Sequence, residues 1–232
     1  MKNRKAIALI AILAIFAAAC GTADEVVEEE TVVTEAPATT EAPATTVAPA
    51  ADPLVLASLM PLSGDLASLG PGIALGAALA VQQINAAGGI NGADVTLIDG
   101  DSGCDGAVAL TSLNDVIAQG AQGVMGAACS GTSLAILDTA IAAKVVMVSP
   151  SNTSPQFTTM DNQGFYARTA PSDLLQGQVL AALLVEDGVK TISIISRADS
   201  YGRGLAEATA KAFMATEGLS LIHISEPTRL SW

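Results

Sequence analysis

Between Pro53 and Gly218 the sequence switches back and forth between two hydrophobic periods, and this alternation restricts the fold more than any other feature. Leu54–Met60 is a short apolar run ended by Pro61, the pattern of a buried strand. Gly72–Ala87 follows at helix length, carries Ile73, Leu75, Ala77, Leu79, Val81 and Ile84, and stops at Gly88 and Gly89. The unit recurs as strand Asp94–Asp99 with helix Gly106–Gln119, strand Gly123–Ala127 with helix Thr132–Ala143, and strand Val145–Ser149. After a loop come helix Ser172–Glu186, strand Thr191–Ser196 and helix Gly202–Thr216. Apolar strands alternating with helices predict an α/β fold built on a doubly wound, mostly parallel sheet covered on both faces. Ligands of such folds sit beyond the carboxyl ends of the strands, where the strand order reverses. The loops to watch are therefore 61–70, 99–105, 128–133 and 150–157.

The first 52 residues read differently. Lys2, Arg4 and Lys5 precede an unbroken apolar stretch from Ala6 to Ala19, and Ala17, Ala18 and Ala19 precede Cys20. This layout is a secretory signal over residues 1–20. The apolar stretch falls short of the roughly 20 residues that span a bilayer. Small residues before a cysteine resemble the lipobox of bacterial lipoproteins, although Ala17 stands where leucine is preferred. The resemblance implies that Cys20 carries a lipid anchor; a plain signal peptide with an incidental cysteine is the alternative. Residues 21–52 hold no aromatic and no basic residue, and Pro37, Pro43 and Pro49 mark a repeat of Thr, Glu, Ala and Pro. Such a segment cannot build a core and predicts a disordered acidic linker that spaces the folded part from a membrane surface.

Net charge is −13, but the linker holds 8 of the 23 acids; residues 53–218 carry 14 acids and 6 bases. That balance excludes nucleic acid as a partner, since its binding needs clustered Lys and Arg. At the far end, Leu219–Arg229 resembles a sequencing adapter translated in frame, which sets residues 219–232 apart as an artefact and leaves the natural protein running on past Gly218. A genuine strand over Leu219–Ser225 is the alternative. Without that end the chain has no histidine. Neither a Ser-His-Asp triad nor a histidine metal site can then be assembled. Gly70, Gly72 and Gly76 open a helix after a strand, as in dinucleotide-binding turns, but about ten residues separate Met60 from Gly70 where such turns are tight. These glycines read as loop and packing positions. No enzyme activity, cofactor or metal is expected.

Six segments carry a family resemblance: Met60–Gly64, Ile84–Gly92, Ala127–Thr132, Ser149–Thr153, Arg168–Asp173 with Gln176 and Gly177, and Tyr201–Ala206. In this order they look like the Leu/Ile/Val-binding protein family of ABC-transporter solute receptors. The resemblance implies a type I periplasmic-binding fold, two lobes closing on a solute, of which this chain would hold the first lobe (53–187) and the start of the second (188–218).

Carried over by position, Ser130, Asn152 and Thr153 match residues that hold an amino acid's carboxylate and ammonium. The residues themselves agree: Ser130 stands near a helix start whose free N–H groups favour an anion, and Asn152 and Thr153 sit in the next exit loop. Capping and turn formation are the competing roles. Tyr201 matches a residue packing on the ligand from the second lobe, or else is a surface or hinge aromatic. Leu69 stands where amino-acid binders of the family often carry an aromatic, and Ser63 could line the same cleft. The family also has a disulfide at the spacing of Cys104 and Cys129, which an exported compartment permits; two buried free thiols are the alternative.

The expectation is a monomeric, lipid-anchored receptor outside the cytoplasm, at the cell surface or in the periplasm. It would capture a branched-chain or related amino acid, or a similar small polar solute, for an ABC permease. A sensory receptor of the same fold and an exported hydrolase are the alternatives.

Overall fold

A computed structural model of the chain describes residues 52–216 and 220–225. The signal segment, Cys20 and all but the last residue of the linker lie outside the described residues.

Five parallel strands form the main sheet: β1 (Val55–Met60), β2 (Thr96–Asp101), β3 (Gly123–Gly126), β4 (Val146–Ser149) and β5 (Tyr166–Arg168), in the order β2-β1-β3-β4-β5. β1 is central and buried from Ala57 to Met60, which explains why its sequence is a continuous apolar run and not an alternating one. It pairs with β2 from Val55 opposite Thr96 to Met60 opposite Asp101, and with β3 from Leu56 opposite Gly123 to Leu59 opposite Gly126. The connecting helices are α1 (Gly70–Ala86), α2 (Gly106–Ala118) and α3 (Ser130–Ala142). Leu59, Leu113, Ile136, Leu137 and Met147 are fully buried together between sheet and helices.

Beyond β4 lie a single turn, α4 (Gln156–Thr159), and the three-residue β5. There follow α5 (Asp173–Glu186), β6 (Thr191–Ile195), α6 (Ser200–Met214) and β7 (Ser220–Ser225). β6 and β7 make a separate two-stranded parallel sheet, the beginning of a second layer. α5, expected with the first lobe, packs chiefly on α6. The contact is made at Gly177, where a Cβ would lie 2.6 Å from the backbone carbon of Ala208 and 2.7 Å from the Thr209 nitrogen.

Three differences from the expected elements have local causes. β2 runs to Asp101 and not Asp99, because Gly100 fits closely beneath Leu59 and the parallel partner β1 continues to Met60. β5 was not expected at all, being three residues long, below the length at which periodicity is visible. Of the end left out of the expected fold, Ser220–Ser225 form a strand nonetheless: the sequence there carries the β-branched Ile222 and Ile224, and β6 offers an open edge. The pairing follows from that local chemistry whatever the origin of the segment.

Two glycine substitutions should move stability in opposite directions. Gly177→Ala forces α5 and α6 apart and should destabilise by about 1–3 kcal/mol. Gly76→Ala, which meets nothing within 4 Å on α1, should stabilise by about 0.5–1 kcal/mol. Urea unfolding midpoints of the two variants check both signs.

Candidate functional site

The strand order reverses at β1, so the loops leaving β1 and β3 diverge to opposite faces and open a crevice between them. A cavity of about 450 Å³ lies there. The β1 exit contributes Pro61, Leu66, Leu69 and Ile73 as an apolar wall, and Cys104 and Asp105 close one side. Opposite stand Ala128, Cys129, Ser130, Gly131 and Thr132, with Ser151 beside them and Arg197, Asp199 and Tyr201 from the second layer.

How the helices begin explains the polarity of this space. α2 is capped by Asp105, which accepts from the N–H groups of Ala107 at 2.8 Å and Val108 at 3.0 Å. α5 and α6 are capped by Ser172 and Asp199. α3 starts at Cys129 with no side-chain cap, so its first N–H groups face the cavity wall unsatisfied by a side chain. Those groups and the positive end of the helix dipole favour an anion.

The loop after β4 is stitched to the loop after β3. Ser151 Oγ and Asn152 Nδ2 both donate to the Ala128 carbonyl, at 2.8 and 2.9 Å, and Ser149 Oγ donates to the Ala127 carbonyl at 2.7 Å. Ser130, 3% exposed, accepts from the Ser154 N–H at 3.4 Å, which leaves its own hydroxyl proton to donate.

Of the residues expected to bind, Ser130, Tyr201 and Leu69 meet in the cavity. Asn152 does not: it is fully buried, its amide nitrogen held by Ala128 and its Oδ1 accepting from the Tyr166 hydroxyl at 2.9 Å. Its side chain braces the loop. Thr153 is half-buried, and its hydroxyl donates to Asp173 Oδ2 at 3.0 Å. Ser63 is exposed outside the cavity lining, where its N–H donates to Asp101 Oδ1 at 3.1 Å. Cys104 and Cys129 form a disulfide across 25 residues, with Cα atoms 5.5 Å apart, and tie the loop after β2 to the start of α3. Not foreseen were Arg197 and Asp199, an ion pair at 2.7 Å in the cavity lining. They leave β6 at its carboxyl end, and applying the strand-exit rule to this last unit would have found them.

Two carboxylates are shifted in opposite directions. Burial presses the Asp101 pKa upward, but the Ser63 side chain and the N–H groups of Gly103, Leu62 and Ser63 outweigh it, so this carboxyl titrates below the ordinary range. Burial lifts Asp173 above the ordinary value, opposed by the Thr153 hydroxyl and the Arg168 charge. Among the described residues no group of acidic, Cys or His side chains could hold a metal ion.

A family model described as a periplasmic binding protein matches residues 53–227. The chain belongs to the periplasmic binding protein family. The Leucine-, isoleucine-, valine-, threonine-, and alanine-binding protein of Pseudomonas aeruginosa is 33% identical over 133 residues, 57% of this chain and 35% of that one. The chemotactic signal transduction system substrate-binding protein BasB of Halobacterium salinarum is 33% identical over 138 residues, 56% of this chain and 33% of that one. A solved structure, the branched-chain amino acid transporter substrate binding protein of Streptococcus pneumoniae in complex with isoleucine, matches with a TM-score of 0.67 and 27% identity, over 78% of this chain and 51% of that one. The chain thus spans about a third of the length of these curated relatives and half that of the solved structure. Its fold is the type I periplasmic-binding fold, and these relatives are binding proteins, not enzymes.

Two outcomes follow from the site's supports. Replacing Cys104 and Cys129 by serine should cost about 3 kcal/mol in the chain-entropy account, read from urea unfolding with and without reductant. Asp101 has a lowered folded pKa, so its contribution is present above about pH 4, the unfolded value, and lost as pH falls through the folded one. Stability should therefore fall less steeply below pH 4 in Asp101→Asn than in the wild type. Asp173 works with the opposite sign, its contribution fading as pH rises through its raised pKa.

Proposed function

We propose that the chain is the ligand-gripping half of an extracytoplasmic receptor that captures an α-amino acid with an apolar side chain and delivers it to an ABC permease. One arrangement carries the reading: the uncapped start of α3, with Ser130 poised to donate, faces an apolar wall of Leu66, Leu69 and Ile73 across a cavity of about 450 Å³. The helix start suits a carboxylate and the wall an aliphatic side chain, while the half-buried Thr153 stands two residues from the lining Ser151. The binding of isoleucine by the S. pneumoniae relative and the binding repertoire in the name of the P. aeruginosa relative support the same class. Residues of the second lobe complete the clamp. Tethering falls to a lipid on Cys20, with residues 21–52 as the spacer; no helix among the described residues is long and apolar enough to cross a membrane.

A sensory role is the second reading, favoured by the likeness to the chemotactic substrate-binding protein of H. salinarum. A neighbouring permease and ATPase gene supports transport; a neighbouring transducer gene supports sensing.

Thermal shift on the full-length receptor tests the ligand class. Leucine, isoleucine and valine should raise the melting temperature, and Ser130→Ala should weaken leucine binding about tenfold or more, the usual loss when a hydrogen bond to a charged group is removed. Stabilisation by amides, urea or sugars alone, with no response to any amino acid, contradicts the proposal.

A further inference from the structure

Gly204 is a glycine that its own helix does not require. It lies in the second turn of α6, and its backbone is not in the left-handed region that favours the residue. Alanine there would suit the helix better, because glycine has more freedom to lose on folding. The reason for the bare position lies in what it touches. A Cβ at Gly204 would stand 2.6 Å from Pro155 Cδ and 3.5 Å from Ser154 Oγ. α6 thus rests by its backbone on the loop after β4, and the second layer meets the main sheet's loops at that point.

The loop under this contact cannot yield freely. Pro155 Cδ belongs to a ring closed on the backbone nitrogen, so it cannot swing aside as the end of a flexible side chain would. Ser154 is fully buried, and Arg168 fastens the loop by donating to the Ser154 carbonyl at 2.9 Å and to Thr158 Oγ1 at 2.7 Å. The Ser154 N–H donates to Ser130 Oγ at 3.4 Å, which joins the same loop to the polar side of the cavity. On the α6 side, Tyr201 stands one helical turn before Gly204 and lines the cavity with Arg197 and Asp199. The starts of α3 and α6 come close as well, a Cβ at Gly131 lying 3.8 Å from Ser200 Oγ. Widening the gap between Gly204 and Pro155 would therefore carry Tyr201 away from the cavity or draw the loop away from Ser130.

We infer that Gly204 is a positioning residue: its bare backbone lets α6 seat directly on Pro155, and this seat sets how closely Tyr201, Arg197 and Asp199 approach the Ser130 side of the cavity. The role rests on the proposed reading of that cavity as the ligand site. Gly204 itself stands outside the lining and acts through α6.

Calorimetric titration of leucine into the full-length receptor tests the seat, with Gly204→Ala made on the natural background and on a Pro155→Ala background. On the natural background the added methyl meets the proline ring, and leucine affinity should fall about tenfold or more, within the range that overpacking produces. Pro155→Ala removes Cδ and leaves Ser154 Oγ at ordinary contact distance, so on that background the same change should cost less than about threefold. Without ligand, the melting temperature of Gly204→Ala should hold or rise, since the helix prefers alanine and α6 can stand off from Pro155 when nothing is held in the cavity. A merely structural role would instead lower melting temperature and affinity together. An unchanged leucine affinity, an equal loss on both backgrounds, or an unliganded melting temperature that falls in step with affinity each overturn the inference. If Gly204→Ala does not fold, the double variant decides: recovered folding and leucine binding support the seat, and continued failure overturns it. A wild-type receptor that binds no amino acid overturns the amino-acid reading, a distinct result. The same variants are then ranked with whichever of amides, urea or sugars stabilises the wild type, and relief by Pro155→Ala is still required.

Discussion

Parallel pairing on both sides of β1 is the constraint on which the rest of this structure depends. Because β2 and β3 both run with β1, the chain must leave the sheet at the same edge each time and return by way of a helix. The helices go to opposite faces on the two sides of β1, and the exit loops part at that point. A crevice is the unavoidable result. Its chemistry then depends on which residues stand in the first few positions after each strand: an aliphatic wall after β1, a helix start without a side-chain cap after β3, and Ser151 after β4.

The crevice is kept in shape by bonds between exit loops more than by bonds within them. The Cys104–Cys129 disulfide joins the exits of β2 and β3, Asp101 gathers the N–H groups of Leu62, Ser63 and Gly103 and so joins the exits of β1 and β2, and the Ala127 and Ala128 carbonyls receive Ser149, Ser151 and Asn152 from the β4 side. Each bond carries little alone. Together they hold several backbone segments in a fixed relation before any ligand arrives, which lowers the ordering cost of binding.

The order of the helices and of the longer strands was legible from periodicity because each apolar face has to be buried and its spacing is written along the chain. The exits of those strands were legible for the same reason, and Ser130 and Leu69, singled out through the family resemblance, lie in two of them and line the cavity. Asn152 shows where that reading stops. A polar residue in an exit loop looks like a ligand contact, but here its amide is bound by Tyr166, which stands on a strand too short to register as a pattern. Thr153 is similar, its partner Asp173 lying 20 residues away at the start of α5. Pairings of this kind are set by tertiary geometry, and no local spacing announces them. Arg197 and Asp199 are the opposite case, since the rule that located the other loops reaches them too.

The central claim is that the bare start of α3 and Ser130 receive the carboxylate of an amino acid whose side chain lies against Leu66, Leu69 and Ile73. A crystal structure of the full-length receptor with leucine bound tests it most directly. The account predicts carboxylate oxygens about 2.7–3.2 Å from Ser130 Oγ and from N–H groups of the first turn of α3, with the isobutyl group on the apolar wall. A carboxylate held instead by Arg197, with Ser130 out of contact and the side chain turned away from the wall, would contradict it.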